Sequence, residues 1–88
     1  MRYEWDETKR KANLAKHGVD FADAVGALED PANLTIEDEA EGEARFVTLG
    51  SDVVGRMLYV VWTERGPDVI RIISARKASP GEARYYHG

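Results

Sequence analysis

Val69-Ile70-Arg71-Ile72-Ile73-Ser74-Ala75-Arg76-Lys77, followed after one alanine by Ser79-Pro80-Gly81-Glu82, is the stretch on which the fold turns. The first nine residues have the β-branched density of a strand. The last four spell a helix start. Ser79 accepts from the N–H of the third helical residue, Glu82 reaches back, and Pro80 takes the first helical position, where its missing N–H does no harm. Alternation along the strand predicts Arg71, Ile73, Ala75 and Lys77 on one face and Ile70, Ile72, Ser74 and Arg76 on the other. Arg76 then ends an apolar face beside a helix N-terminus, an arrangement that suits an oxyanion such as phosphate. The plainer alternative is that Arg76 and Lys77 are solvated charges finishing a strand, as charged side chains generally are.

Upstream of this strand the period is also two. Phe46, Thr48 and Gly50 alternate with Val47 and Leu49, Asp52 to Gly55 makes a turn, and a further strand runs to Glu64. Glu64-Arg65-Gly66-Pro67-Asp68 is dense in turn formers. The reading is three antiparallel strands near 45–51, 56–64 and 69–77, with Phe46, Val47, Leu49, Leu58, Val60, Ile70, Ile72 and Ile73 mostly inside. Arg2 to Trp5 is a short strand. Asp6 caps a helix over 7–17 that Gly18 stops, with a thin stripe of Ala12, Leu14 and Ala15. Asp20 caps a second over 20–29, where Phe21, Ala24, Val25 and Leu28 recur at helical spacing. Asn33 to Ile36 reads as a short strand and Glu37 to Glu43 as an acid-rich turn or loop. The fold class is therefore α+β: an antiparallel β-meander covered on both faces, by two N-terminal helices and a short C-terminal helix.

Eighty-eight residues without a cysteine predict one domain over 1–88, with no disulfide framework and no thiolate metal site. No apolar run approaches the roughly 20 residues of a membrane span, and the opening residues have no apolar signal region, so a cytoplasmic location is expected. The net charge of −4 hides an asymmetry. Residues 23–43 hold eight acidic side chains and no Lys or Arg, whereas residues 44–88 hold seven basic against four acidic. The acidic segment would repel RNA and is expected to lie away from any basic cleft.

Dinucleotide, P-loop, zinc-protease and nucleophile-elbow motifs are all missing, and His17 and His87 have no metal-pair spacing. What remains is His17 at a helix end, Glu64 and Arg65 in a turn, Arg76 and Lys77 at a strand end, and Tyr85 and Tyr86 in the last helix. This metal-free set suits phosphoryl chemistry on RNA, where a ribose 2′-hydroxyl attacks the adjacent phosphate with a base, an acid and stabilising cations. Histidine is the side-chain type whose unperturbed titration falls near neutrality, which makes His17 a candidate; a histidine that merely stabilises a helix C-terminus is the more ordinary choice.

Five collinear segments carry a resemblance. They are Glu4-Trp5-Asp6 through Lys9; Asn13-Leu14-Ala15-Lys16-His17-Gly18-Val19 with Phe21; Gly42-Glu43 through Arg45-Phe46-Val47-Thr48-Leu49-Gly50; Val60-Val61-Trp62-Thr63-Glu64-Arg65-Gly66; and Ile70 through Lys77-Ala78. In these the chain resembles the BrnT family of type II toxin–antitoxin ribonuclease toxins. The resemblance implies a RelE-like fold, an RNA endonuclease that inhibits translation and uses no cofactor or metal, and neutralisation by a BrnA-like antitoxin, through which alone operator DNA is reached. It raises Arg76 and Arg65 to catalytic candidates with Glu64 and His17, with Lys77, Lys16 and Arg45 as RNA-binding residues. Glu64 is open between a general base and an orienting partner of Arg65. Leu49 and Trp62 depart from the family's usual Ile and Tyr, and the short tail weakens the case for Tyr85, Tyr86 and His87. A second function class stays open, a non-catalytic module that binds the antitoxin and acts as co-repressor of its own operon.

Overall fold

Local signals fix most of the element ends. In this computed structural model, which describes residues 1–40 and 42–88, strand β1 (Arg2–Glu4) leads to Asp6, whose carboxylate accepts from the N–H groups of Thr8 and Lys9 and opens helix α1 (Glu7–His17). Gly18, left-handed at φ 72°, closes it by donating to the Leu14 carbonyl. Asp20 caps α2 (Phe21–Leu28) through the Ala22 N–H. Then come β2 (Leu34–Ala40), β3 (Glu43–Ser51), β4 (Met57–Glu64), β5 (Val69–Lys77) and α3 (Pro80–His87).

The strands form one five-stranded sheet in the order β1-β5-β4-β3-β2. The central meander is antiparallel as expected, but the sheet is mixed: β1 pairs in parallel with β5, Tyr3 opposite Ile70. A larger correction concerns residues 34–40. The expected acidic loop is, over Glu37 to Ala40, part of a seven-residue edge strand antiparallel to β3, with Ile36 opposite Val47 and Asp38 opposite Arg45. An edge strand need bury little, so charge does not forbid it. Of the expected loop, Glu41 lies outside the described residues.

A β-bulge corrects the face assignment in β5. Val61 lies opposite Ser74 and Trp62 opposite Ile72, so Ile73 is the extra residue and the alternation shifts phase there. Ile70 and Ile72 thus share the core with Ala75, not with Arg76. On this face Val19, Phe21, Ala24 and Ala27 pack against Leu58, Val60, Ile70, Ile72 and Ala75. Of the predicted interior, Phe46, Leu49 and Ile73 are only half-buried. The inward residue of α1 is Asn13 rather than its thin apolar stripe. The second face is not fully covered, because α3 lies over it without burying a residue of its own.

Candidate active site

Beyond the bulge, Arg76 projects onto the open face opposite Tyr59. Its guanidinium carbon lies 3.9 Å from the centre of the Tyr59 ring. Both terminal nitrogens donate to Glu82, at 2.8 Å to Oε1 and 2.9 Å to Oε2, a two-pronged ion pair. Glu82 is the residue that closes the α3 capping box: its Oε1 also accepts from the Ser79 N–H at 2.8 Å, and its own N–H donates to Ser79 Oγ. The Arg76 guanidinium, with the Ser79 N–H, holds the Glu82 carboxyl down to about 2. The place next to Arg76 and the helix N-terminus, anticipated as an oxyanion site, thus already holds the chain's own carboxylate.

Two devices fix this corner. Asn13 takes the outer edge of β5 where β1 has ended: its amide donates to the carbonyls of Ala75 and Val19 at 2.8 and 2.9 Å and accepts from the Ala75 N–H at 3.1 Å. The strand residue before Arg76 is thereby clamped on both of its backbone groups. At the other end of α3, the Tyr86 hydroxyl donates to Asp30 at 2.5 Å, and Asp30 also accepts from the Ser51 N–H at 2.9 Å. The Ser51 N–H and then Tyr86 hold Asp30 below the usual carboxylate range, while Asp30 pushes the Tyr86 hydroxyl up.

Arg76 ends a row that crosses four strands, Leu34, Leu49, Tyr59, Arg76. Between this floor and α3 runs a groove of about 650 Å³ whose walls include Leu34, Ile36, Leu49, Tyr59, Glu82 and Tyr85. The other candidates divide between the two ends of the sheet. Lys77 is exposed at the Arg76 end, and His17 is half-buried one turn beyond Asn13, with exposed Lys16 next to it. Glu64 and Arg65 are exposed at the opposite end. Antiparallel pairing sets Arg76 opposite Tyr59, five residues from Glu64, a separation of about 17 Å at strand rise. Arg45 lies toward that far end, half-buried, its Nε without a hydrogen-bond partner among the described residues. Sequence reasoning missed Tyr59, Asn13 and the pairing of Glu82 with Arg76. Only the last left a signal, since Glu82 was visible as the capping residue six positions on.

No helix among the described residues is long and apolar enough to cross a membrane. A search of curated proteins finds no match. The crystal structure of the Brucella abortus ribonuclease toxin BrnT, at 1.1 Å resolution, superposes with a TM-score of 0.73 and 32% identity, over 90% of this chain and 97% of that one. Residues 5–82 match the family model described as the ribonuclease toxin BrnT of type II toxin–antitoxin systems. Both the match along most of the sequence and the likeness of the folded chain lead to one conclusion: this protein belongs to the BrnT family of type II toxin–antitoxin ribonuclease toxins.

Proposed function

We propose that this protein is a metal-independent, cytoplasmic endoribonuclease of RelE-like kind that inhibits translation and is neutralised by a BrnA-like antitoxin, operator DNA being reached only through that partner. The observation that carries the reading is the Arg76 fork, stacked on Tyr59 and closed on a carboxylate at a helix N-terminus. A group held ready for two planar oxygens binds phosphate by the same geometry. In the reaction the 2′-oxygen loses its proton and bonds to phosphorus, the bond from phosphorus to the 5′-oxygen breaks, and that oxygen takes up a proton. The product is a 2′,3′-cyclic phosphate. The incoming phosphate takes the place of the Glu82 carboxylate on Arg76, which then stabilises the negative charge gathering on the phosphoryl oxygens. His17, at the same end of β5, is the candidate for proton transfer, with Lys77 and Lys16 as flanking phosphate contacts. Glu64, Arg65 and Arg45 are assigned to the RNA strand farther along.

Incubation of the purified protein with RNA in EDTA tests the reading. Cleavage leaving cyclic phosphate ends supports it, and inertness across substrates favours the co-repressor module instead. Arg76→Ala should abolish growth arrest while leaving the protein folded, because the lost interaction acts in the transition state. Arg65→Ala should be weaker but measurable. A His17→Gln variant that keeps full activity and an unchanged pH profile would return His17 to a structural role.

A further inference from the structure

We propose that the outer edge of β2 is where a basic strand of the antitoxin adds to the sheet, an inference that rests on the toxin–antitoxin reading above. β2 is the last strand of the sheet and pairs with β3 alone, so alternate backbone groups along Leu34–Ala40 face outward. Its open-face residues are apolar where most edges are charged: Leu34 is 41% and Ile36 66% exposed. They continue the groove floor of Val47, Leu49 and Tyr59 out to the sheet margin. The remaining half of the strand carries Glu37, Asp38 and Glu39, all exposed, on both faces.

Charge selects the occupant. A second copy of this chain pairing antiparallel about Glu37, the middle of β2, would set that carboxylate directly against its counterpart with Asp38 opposite Ile36 and Glu39 opposite Thr35, matching no charge with an opposite one, and RNA would bring phosphates to the three carboxylates. A polypeptide strand does neither if it is basic. It would set apolar residues beside Leu34 and Ile36 on the open face, Lys or Arg beside Asp38, and further Lys or Arg beside Glu37 and Glu39 on the other face. Main-chain pairing then gives affinity and the alternating pattern gives specificity.

The test uses the isotope-labelled protein and a synthetic peptide with Val at the positions that meet Leu34 and Ile36 and Lys at those that meet Glu37, Asp38 and Glu39, with amide shifts read by NMR. The expected result is shifts and slowed exchange confined to β2 and the groove, weakening with salt, with binding at least about tenfold weaker in Glu37→Lys/Asp38→Lys/Glu39→Lys. The same peptide with proline at its central positions cannot pair and should fail to bind. Equal binding of the proline peptide, shifts centred on α1 or Arg76, or self-association of the protein through β2 would each overturn the proposal. RNA cleavage by the triple variant is read in parallel. The edge residues lie outside the proposed catalytic set, so cleavage should persist, and a protein that binds the peptide yet never cleaves RNA would refute the nuclease reading alone.

Discussion

Arg76 and Glu82 form a pair whose strength is readable by acid. The Glu82 carboxyl titrates near 2 in the folded protein against an ordinary 4.5, so its contribution is complete above about pH 4.5 and is lost as the pH falls towards 2. Glu82→Gln should cost about 1 kcal/mol at neutral pH, the scale of a partly exposed fork, and should flatten the acid limb of the stability curve between those values. Thermal melts of both proteins across that range check it; parallel acid limbs would exclude the pair as their source. Asn13→Ala should cost more, on the order of 3 kcal/mol, because it strands both backbone groups of Ala75. Chemical denaturation measures that directly. At this scale the sequence was legible where a side chain acts on its own neighbourhood: the Ser79 capping box formed as read, and Arg76 fell at the strand end. It was not legible where a role is set across the sheet, as for Tyr59 beneath Arg76 or an asparagine acting as a strand edge.

Among the elements, α2 approaches β3 closely because Gly50 has no side chain. A Cβ built there would fall on the backbone carbonyl of Ala27, so a single methyl must push the helix off the sheet. Gly50→Ala should therefore destabilise by on the order of 2–3 kcal/mol, as overpacking does, a cost visible in the urea midpoint. Ile72, 1% exposed beneath α2, should cost about 2–5 kcal/mol when truncated to alanine. The run Val69 to Lys77 was read to the residue because its turn and cap are local. Its phase was not, because a stretch apolar at every position from Ile72 to Ile73 carries no mark of which residue is extra. Of β2 only the start, Leu34 to Ile36, was legible as a strand: its acidic half reads as solvent-loving loop, and the partner that makes it a strand lies across a turn in β3.

For the molecule as a whole, charge is segregated: the acidic edge stands on one margin of the sheet and Arg76 and Lys77 on β5, three strands away. If RNA meets the five cations proposed above, binding should weaken with salt along a log–log slope on the order of −3. Filter binding over a salt series measures it, and a slope near zero would argue against phosphate contacts as the source of affinity. The separation of Arg76 from Arg65 also belongs to this scale. It follows from antiparallel pairing of β4 with β5, which the turn at Gly66-Pro67 announced, and the two were nevertheless grouped as catalytic candidates on the family resemblance.

The two margins of the sheet differ in what they offer. On the β5 side the outermost strand is β1, three residues long, and beyond it Asn13 occupies the donor and acceptor of Ala75. On the other side β2 leaves seven residues open. In the language of step-growth chemistry the molecule is a monofunctional unit. A strand that joins it caps the longer edge and leaves a margin of three residues, too short to seat a second strand well, so growth slows after one addition, and the product is a discrete complex where a sheet with two long edges would propagate into a fibre.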